Sequence, residues 1–177
     1  MLINLYNVVS GAGREETVKA EFAGREVSYF GETIRISADG AFDVMLRHTE
    51  KEIVSVELSV KLKTVRICSR CMEDVENEYL LHISRVIDVK EGRVHTDISE
   101  EDEEISYIED CALDVDMLVL DELYTVIPMN VFCKEDCKGI CKVCGTNLNK
   151  STCDCDQTVP DPRMAVFSDI FNQFKEV

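Results

Sequence analysis

Two adjoining stretches decide the fold: Ile53-Val-Ser-Val-Glu-Leu-Ser-Val-Lys-Leu-Lys-Thr-Val-Arg-Ile67 and, directly after it, Cys68-Ser-Arg-Cys71. Every second residue from Val54 to Leu62 is apolar, and serine, glutamate or lysine stands between them. This period of two predicts a strand with one buried and one solvated face. The apolar parity changes at Val65 and Ile67, which predicts a bulge or a strong twist near the end of the strand.

The stretches on either side of this strand also read as β-structure. Val75–Val89 predicts a second long strand, and the two are expected to pair as an antiparallel hairpin with the cysteine pair at its turn. Upstream, 25–37 and 41–46 are rich in β-branched and aromatic residues and flank the turn signal Asp39-Gly40. Residues 1–92 are therefore predicted to form mainly strands.

A change of pattern follows the strands. Twelve acidic residues and no lysine or arginine fall between Asp97 and Glu122. Residues 97–104 are interpreted as a loop, and an apolar stripe at three- or four-residue spacing predicts a helix that ends at Pro128. The stripe consists of Leu113, Met117, Leu120, Tyr124 and Ile127. The acidic run is either a solvated face with helix capping or a docking surface for a basic partner.

A final helix is predicted to begin at Asp161-Pro162, which suits an N-cap and a first helical position. The expected fold class is α+β. A twisted antiparallel sheet, closing partly on itself like a barrel, packs against two C-terminal helices and carries a cysteine-rich metal-binding module. The predicted division is a β-rich core with an acidic helix, 1–127, and a zinc module with a helix, 128–177.

The cysteines carry the chemistry of this sequence. Six of them fall between Cys133 and Cys155, in the pattern Cys-x3-Cys-x3-Cys-x2-Cys-x8-Cys-x-Cys, with Gly139 and Gly145 among them. Closely spaced thiolates suit the tetrahedral, soft-ligand preference of zinc, and glycine tolerates the backbone of a metal knuckle. The run therefore predicts a structural metal centre.

The number of ions is left open between two arrangements. In one, Cys68 and Cys71 join Cys133 and Cys137, while Cys141, Cys144, Cys153 and Cys155 form a second four-thiolate site. In the other, a single site is drawn from the C-terminal six cysteines, and Cys68 and Cys71 are a reduced or redox-active pair. Cys111 fits neither spacing and is interpreted as a small buried apolar residue.

Catalysis is not expected. A catalytic zinc keeps an open position and a base nearby, whereas His48, His82 and His95 are scattered outside the cysteine run. The sequence has no Gly-x-Ser-x-Gly, no phosphate-binding glycine-rich loop and no His-Glu-x-x-His. The chain is predicted not to be an enzyme, and no small-molecule substrate is expected.

The net charge of −16 argues against general nucleic-acid binding, which relies on lysine and arginine. Two local basic groups are exceptions, and they either compensate the charge of zinc thiolates or contact RNA phosphates. The candidate RNA-contacting residues are Lys61, Lys63, Arg66, Arg70, Lys134, Lys138 and Lys142. No apolar run of 18 residues and no secretory signal are evident, so a cytoplasmic protein with reduced thiols is expected.

Taken together, several motifs resemble the YceD-like family of large ribosomal RNA subunit accumulation proteins, a domain of unknown function. They are Cys68-Ser-Arg-Cys71, the acidic helix ending at Pro128, Cys133 to Asn149 with its Gly-Thr-Asn-Leu-Asn, Cys153-x-Cys155, and Asp161-Pro-Arg163. The resemblance covers essentially the whole chain.

The resemblance implies a cytoplasmic, non-catalytic factor that supports large-subunit ribosomal RNA accumulation and ribosome assembly. Its partner would be ribosomal RNA or a basic ribosomal protein, the latter meeting the acidic segment 97–122. The alternative is a thiol-redox or metal-handling protein that uses Cys68 and Cys71, which would require a reversible disulfide between them.

Overall fold

The computed structural model describes residues 1–11, 14–50, 52–90, 93–94, 107–156 and 167. The chain divides into two compact units. The first consists of Met1–Ile67 and Asp74–Val131, and the second consists of Cys68–Glu73 and Phe132–Val177. The second unit therefore combines the turn after the long strand with the cysteine-rich C-terminal run. Its C-terminal part starts at Phe132, four residues after the start of the predicted zinc module at residue 128.

The strands and helices with defined bounds lie in the first unit, which is mostly β. In chain order the elements are β1 (Leu2–Asn4), α1 (Tyr6–Val9), β2 (Glu15–Ala20), β3 (Arg25–Tyr29), β4 (Glu32–Ala38), β5 (Phe42–Glu50), β6 (Ile53–Ile67), β7 (Asp74–Asp88), β8 (Arg93–Val94), β9 (Ile108–Glu109), β10 (Ala112–Asp114) and α2 (Val115–Val126).

The larger sheet is antiparallel and is built around β6. Strand β7 pairs with β6 along its whole length, and β8 pairs with β7. On the other edge of β6, β5 and β4 pair with successive halves of the strand, and they pair in turn with β2 and β3. β1, β10 and β9 form a separate small sheet. The antiparallel sheet is confirmed, but the pairing path among the described strands is open, so the expected barrel-like closure is not found there.

The predicted bulge at the end of β6 is wrong. Pairing with β7 continues from Ile53 opposite Asp88 to Ile67 opposite Asp74 without a shift in register. Thr64 and Arg66 keep the buried parity of the strand, although they are polar. A register shift does occur at the opposite end of β6, in its pairing with β5, between His48 and Glu50. The change of apolar parity therefore marks a buried polar site and not a break in the strand.

One face of the sheet is the core. Val54, Val56, Leu58, Val60 and Leu62 are all buried, as the alternating pattern predicts. They pack with buried residues of the other strands and of α1 and α2. Every member of this core cluster belongs to the first unit. In the described part of the second unit, the buried apolar side chains are cysteines.

The predicted helix exists, and its buried face agrees in part with the prediction. Asp114 is the N-cap, and its carboxylate accepts hydrogen bonds from the backbone N–H groups of Asp116 and Met117. Of the predicted stripe, Leu113 and Ile127 are buried and Leu120 packs against the core, whereas Met117 is 46% exposed. The buried residues within α2 itself are Val115, Leu118, Val119 and Leu123. The predicted loop 97–104 lies outside the described residues, as does the helix from Asp161 apart from Phe167.

No helix in the described part of the chain combines the length and apolar character needed to cross a membrane.

Candidate metal centre

Eight of the nine cysteines lie in two groups of four in the second unit. Cluster A consists of Cys68, Cys71, Cys133 and Cys137, and cluster B consists of Cys141, Cys144, Cys153 and Cys155. Within each cluster the sulfur atoms lie within 4.8 Å of one another. These sets match the first of the two arrangements that the spacing allows. Each cluster could hold a metal ion.

The sulfur spacing of cluster A fits a four-thiolate site. Cys71 Sγ lies 3.5 Å from Cys133 Sγ, and Cys68 Sγ lies 3.9 Å from Cys137 Sγ. A tetrahedral ion with metal–sulfur bonds of about 2.3 Å separates its sulfurs by about 3.8 Å. Since all four cysteines are free thiols, the spacing and the chemistry of the ligands fit a metal without rearrangement of the chain.

A tight turn supplies the first two ligands of cluster A. The Cys68 N–H donates to Glu73 O at 2.7 Å, and the Met72 N–H donates to Cys68 O at 3.0 Å. Met72 has a φ of +62°, a left-handed conformation that residues other than glycine rarely adopt. The turn thus brings both thiols of the Cys-x2-Cys pair to one side.

Gly139 allows the C-terminal run to approach this turn. Its φ is +77°, and the N–H of the next residue, Ile140, donates to Arg70 O at 3.0 Å. A Cβ at position 139 would lie 3.0 Å from the same carbonyl oxygen. Both the backbone conformation and the close approach therefore require glycine, which gives a physical reason for the predicted role of this residue.

Donors within the second unit stabilise thiolates in cluster A. The Cys133 N–H donates to Cys68 Sγ at 3.4 Å, and the Asn149 side-chain amide donates to Cys137 Sγ at 3.3 Å. Burial would raise the pKa of Cys68, but backbone N–H donors outweigh it and lower this pKa to about 6. Desolvation of its sulfur and hydrogen bonds with the neighbouring thiols raise the pKa of Cys133 to about 12. The N–H donors thus favour the thiolate form of Cys68, which is the form that binds a metal.

Cluster B is organised by a second turn. Cys141 N–H donates to Thr146 O at 2.8 Å, and Gly145 N–H donates to Cys141 O at 2.9 Å. Thr146 Oγ1 lies 3.1 Å from Cys144 Sγ, and donation from its hydroxyl and backbone lowers the pKa of Cys144 to about 6. Cys144 in turn raises the pKa of Cys155 to about 12. Cluster B thus also contains one thiol with a lowered pKa, Cys144, beside one with a raised pKa, Cys155.

The two clusters differ in exposure to solvent. In cluster A three of the four cysteines are buried and Cys133 is exposed. In cluster B Cys141 alone is buried, and Cys144 is exposed. An ion in cluster B would therefore be more accessible to water and to competing ligands.

The remaining cysteine and two of the histidines belong to the first unit and are members of neither cluster. Cys111 is partly buried against the core of the first unit. His48 is buried and its Nδ1 lies 3.0 Å from Gly11 O, while His82 Nδ1 lies 2.8 Å from Ser59 Oγ. Neither histidine belongs to a metal-ligating group among the described residues, and His95 lies outside them.

Three of the cations predicted to contact RNA belong to the first unit. Lys61 and Lys63 are each 45% exposed and form ion pairs with Asp39 and Glu78. Arg66 differs, because it is 3% exposed and its guanidinium is bound within the unit. The exposed lysines remain RNA-contact candidates, whereas buried Arg66 cannot reach a phosphate in this conformation.

The other four predicted cations belong to the second unit. Arg70 donates to the carbonyls of Glu135 and Cys137, both at 3.2 Å. Its guanidinium also lies over the Phe132 ring, 4.4 Å from the centroid. Lys134 forms an exposed pair with Asp136 at 3.8 Å. Lys138 and Lys142 are exposed and have no ion pair within the described residues.

Three residues near the clusters were given no contact with the cysteines in the sequence interpretation, although two of them belong to the motif Gly-Thr-Asn-Leu-Asn. Asn149 and Thr146 contact ligand sulfurs, and Glu73 Oε2 lies 4.0 Å from Cys71 Sγ. The signal for Asn149 and Thr146 was their place between Cys144 and Cys153, since polar residues within a metal loop often donate to its ligands. Glu73 follows the Cys-x2-Cys turn, and nothing in the sequence singles it out.

Comparison with known proteins gives one family. Residues 56–171 match the model of the large ribosomal RNA subunit accumulation protein YceD. The matched range contains all eight clustered cysteines and most of β6. No solved structure matches the chain.

The individual relatives have low sequence identity to this chain, between 26% and 30%. An uncharacterized protein of Mycobacterium tuberculosis is 27% identical over 118 residues, which cover 66% of this chain and 56% of the relative. An uncharacterized protein of Mycobacterium leprae is 26% identical over 97 residues, 55% of this chain and 44% of the relative. The chloroplastic large ribosomal RNA subunit accumulation protein YCED homolog 1 of Arabidopsis thaliana is 30% identical over 64 residues, 36% of this chain and 20% of the relative. The matches thus span about half of the mycobacterial proteins and a fifth of the plant protein.

Proposed function

Since the chain belongs to the YceD family of large ribosomal RNA subunit accumulation proteins, we propose that it supports the accumulation of large-subunit ribosomal RNA and the assembly of the ribosome. The observation that carries this proposal is the family match over residues 56–171. We propose a non-catalytic role, because the described cysteines of the second unit form two clusters of four that could each hold a structural metal. We propose a cytoplasmic location, because free thiols stay reduced there.

The metal in this proposal is zinc, one ion in each cluster. Four thiolates without a histidine or carboxylate ligand suit a structural zinc site, and the sulfur spacing of cluster A supports this assignment. A bound zinc would fix the fold of the second unit and provide no open coordination position. Metal analysis of the purified protein tests the assignment, with two zinc ions per chain expected and none contradicting it.

The partner is ribosomal RNA or a basic ribosomal protein. Direct RNA contact would use the exposed lysines of the second unit, foremost Lys138 and Lys142. Lysines bind phosphate, and these two have no ion pair with a carboxylate among the described residues. The protein-mediated version is supported by the acidic surface that a net charge of −16 implies. Crosslinking in cells, followed by sequencing of RNA and identification of proteins, distinguishes the two versions.

The cellular test is deletion of the gene in its host and measurement of the ratio of large-subunit to small-subunit ribosomal RNA. A fall in this ratio, restored by the parent chain, is expected. Complementation with Lys138→Glu/Lys142→Glu then tests direct contact, and Lys61→Glu/Lys63→Glu gives a comparison in the first unit. An unchanged ratio in the deletion strain contradicts the proposal.

The second candidate is a thiol-redox or metal-handling protein that uses Cys68 and Cys71. The observation in its favour is that one tight turn holds both thiols. It requires their oxidation to a disulfide by a cellular oxidant, in competition with metal binding by the same sulfurs. Mass spectrometry of alkylated protein, with and without mild oxidant, is the test. If the pair never oxidises while the protein retains metal, this candidate is excluded.

A further inference from the structure

The two clusters are linked by a residue that ligates neither. Asn149 lies in the segment between Cys144 and Cys153, two members of cluster B. Its side-chain Nδ2 donates to Cys137 Sγ of cluster A at 3.3 Å, and its Oδ1 accepts from the Lys138 N–H at 2.9 Å. Cluster A is thus completed by a donor from the loop of cluster B.

The position of Asn149 depends on the shape of this loop. Asn149 N–H donates to Asn147 Oδ1 at 2.9 Å, and Leu148 N–H donates to Gly139 O at 2.9 Å. The ends of the loop are Cys144 and Cys153. An ion bound by both would close the loop and reduce its conformational freedom, which would hold the Asn149 amide against Cys137.

A second contact also joins the loop of cluster B to the surroundings of cluster A. Lys150, the next residue of the loop, forms an ion pair with Glu73 in the turn that supplies Cys68 and Cys71. The other carboxylate oxygen of Glu73 lies 4.0 Å from Cys71 Sγ. Two successive residues of the cluster B loop therefore reach the surroundings of two cluster A ligands.

We propose that cluster B is an exchangeable site for a thiophilic divalent cation, and that its occupancy controls how tightly cluster A holds its own ion through Asn149. This inference rests on the metal binding in the proposed function and adds an order of metal exchange, cluster B before cluster A. Cluster B exchanges first because one of its four cysteines is buried, against three in cluster A.

The coupling works through the electron density of a ligand sulfur. An N–H donor to a metal thiolate is a charge-assisted hydrogen bond, and loss of such a contact typically changes metal affinity by about 10- to 100-fold. Because coupling between two binding sites is reciprocal, an ion in cluster A also strengthens binding in cluster B. The chain would then respond steeply to the free metal concentration.

The test measures zinc release from the full chain into excess of a coloured chelator. Two phases of equal amplitude are expected, the fast phase from cluster B and the slow phase from cluster A. In Asn149→Asp, the retained Oδ1 still accepts from Lys138, but an oxygen replaces the donor that faces Cys137. Because cluster B is empty when the slow phase begins, the effect of this variant is measured at equilibrium by competition with the chelator. We expect it to lower the product of the two zinc association constants of the chain about 10-fold.

The matched control is Asn147→Asp, which makes the same charge change in the same loop. Its Oδ1 still accepts from Asn149, so the product of the two zinc association constants should stay within about twofold of that of the parent. Cobalt substitution gives a second measurement, since Asn149→Asp should shift the sulfur-to-cobalt charge-transfer band of cluster A and the control should not. Equal effects of the two substitutions on the product of the constants would overturn the role of Asn149.

Two further variants test the coupling itself. Cys144→Ser/Cys155→Ser and Cys68→Ser/Cys71→Ser should each bind one zinc, the first without the fast phase of release. Cluster B is already empty when the slow phase of the parent begins, so the coupling is measured at equilibrium by competition with the chelator. The product of the two zinc association constants of the parent should exceed the product of the constants of the two variants by about 10-fold. Equal products would overturn the coupling. Binding of no metal by the parent chain would instead contradict the zinc assignment in the proposed function, while the ribosomal RNA role is tested separately by the deletion strain.

Discussion

The guanidinium of Arg66 and the carboxylate of Glu32 form an ion pair inside the first unit, with Nη2 and Oε2 2.8 Å apart. Arg66 also donates to the carbonyls of Pro128 and Met129, at 2.6 and 3.1 Å. Glu32 Oε1 accepts from the Ile67 N–H at 2.8 Å. This pair connects β4, the end of β6 and the segment after α2, and it occupies the place where the apolar pattern of β6 fails.

The first prediction concerns removal of this cation. Arg66→Met leaves the Glu32 carboxylate and two carbonyls without their donor in a site where Arg66 is 3% exposed. We expect the free energy of unfolding to fall by about 2–4 kcal/mol, because an unpaired, partly buried charge remains. Urea unfolding of the metal-loaded protein, followed by circular dichroism, measures it.

The control for this prediction is Arg35→Met. Arg35 pairs with Asp74 at the same distance, 2.8 Å, but both side chains are more than half exposed. An exposed pair contributes little, so a loss below about 1 kcal/mol is expected. Similar losses from the two substitutions would show that burial of Arg66 does not determine its contribution.

The second prediction is a pH dependence that passes through Glu32. Partial burial raises the pKa of Glu32, but the hydrogen bonds from Arg66 and Ile67 and the charge of Arg66 lower it below its ordinary value of 4.5. A lowered folded-state pKa stabilises the fold above the unfolded-state value, and this contribution is lost as the pH falls through the folded-state value. The stability difference between the parent and Glu32→Gln should therefore shrink as the pH is lowered from neutral to below 4.5.

Comparing these two chains cancels the loss of metal that acid also causes, since both carry the same cysteines. The measurement is the free energy of unfolding of each chain at a series of pH values. A stability difference that stays constant or grows as the pH falls would contradict the prediction.

Arg66 also shows why the sequence predicted the strands better than the polar sites between them. Alternation from Val54 to Leu62 identifies the buried face of β6, because the period of two follows from backbone geometry. At Thr64 and Arg66 the same geometry continues, but the partner Glu32 is distant in sequence. Local pattern cannot reveal a partner of this kind, so the parity change was interpreted as a bulge or a strong twist, of which the bulge is wrong.

The cysteine clusters were predictable for the opposite reason. Thiols two or three residues apart must share a turn, so spacing alone limits which of them can meet. The link between Cys68 and Cys133 was one of two open arrangements, since it depends on contacts between segments far apart in the chain. Asn149 could not be assigned, because its hydrogen bond to Cys137 depends on loop geometry that the spacing does not contain.

The third prediction compares two glycines in the cysteine run. Gly139 and Gly145 both have positive φ, +77° and +73°. A Cβ at 139 would lie 3.0 Å from the Arg70 carbonyl oxygen, whereas a Cβ at 145 meets nothing within 4 Å. Gly145→Ala should therefore cost only the backbone strain, about 1–2 kcal/mol, and Gly139→Ala should cost more and also loosen cluster A.

Chelator titration of the two alanine variants checks this prediction. The chelator concentration that removes half of the metal should fall further for Gly139→Ala than for Gly145→Ala. Equal sensitivity of the two variants would mean that the approach of Gly139 to the carbonyl of Arg70 does not limit the cluster.

The last prediction concerns metal removal from the whole chain. The hydrophobic core of the described residues belongs entirely to the first unit, and the buried apolar side chains of the second unit are its cysteines. Without metal, the four thiols of each cluster have little else to hold their segments together, since a structural zinc site supplies about 10–16 kcal/mol of binding free energy.

We expect chelation to collapse the amide NMR signals of residues 68–73 and 132–156, while those of β5 and β6 stay dispersed. Addition of zinc should restore the lost signals. Persistence of dispersed signals from 132–156 in fully demetallated protein would show that backbone hydrogen bonds, and not metal, hold the second unit together.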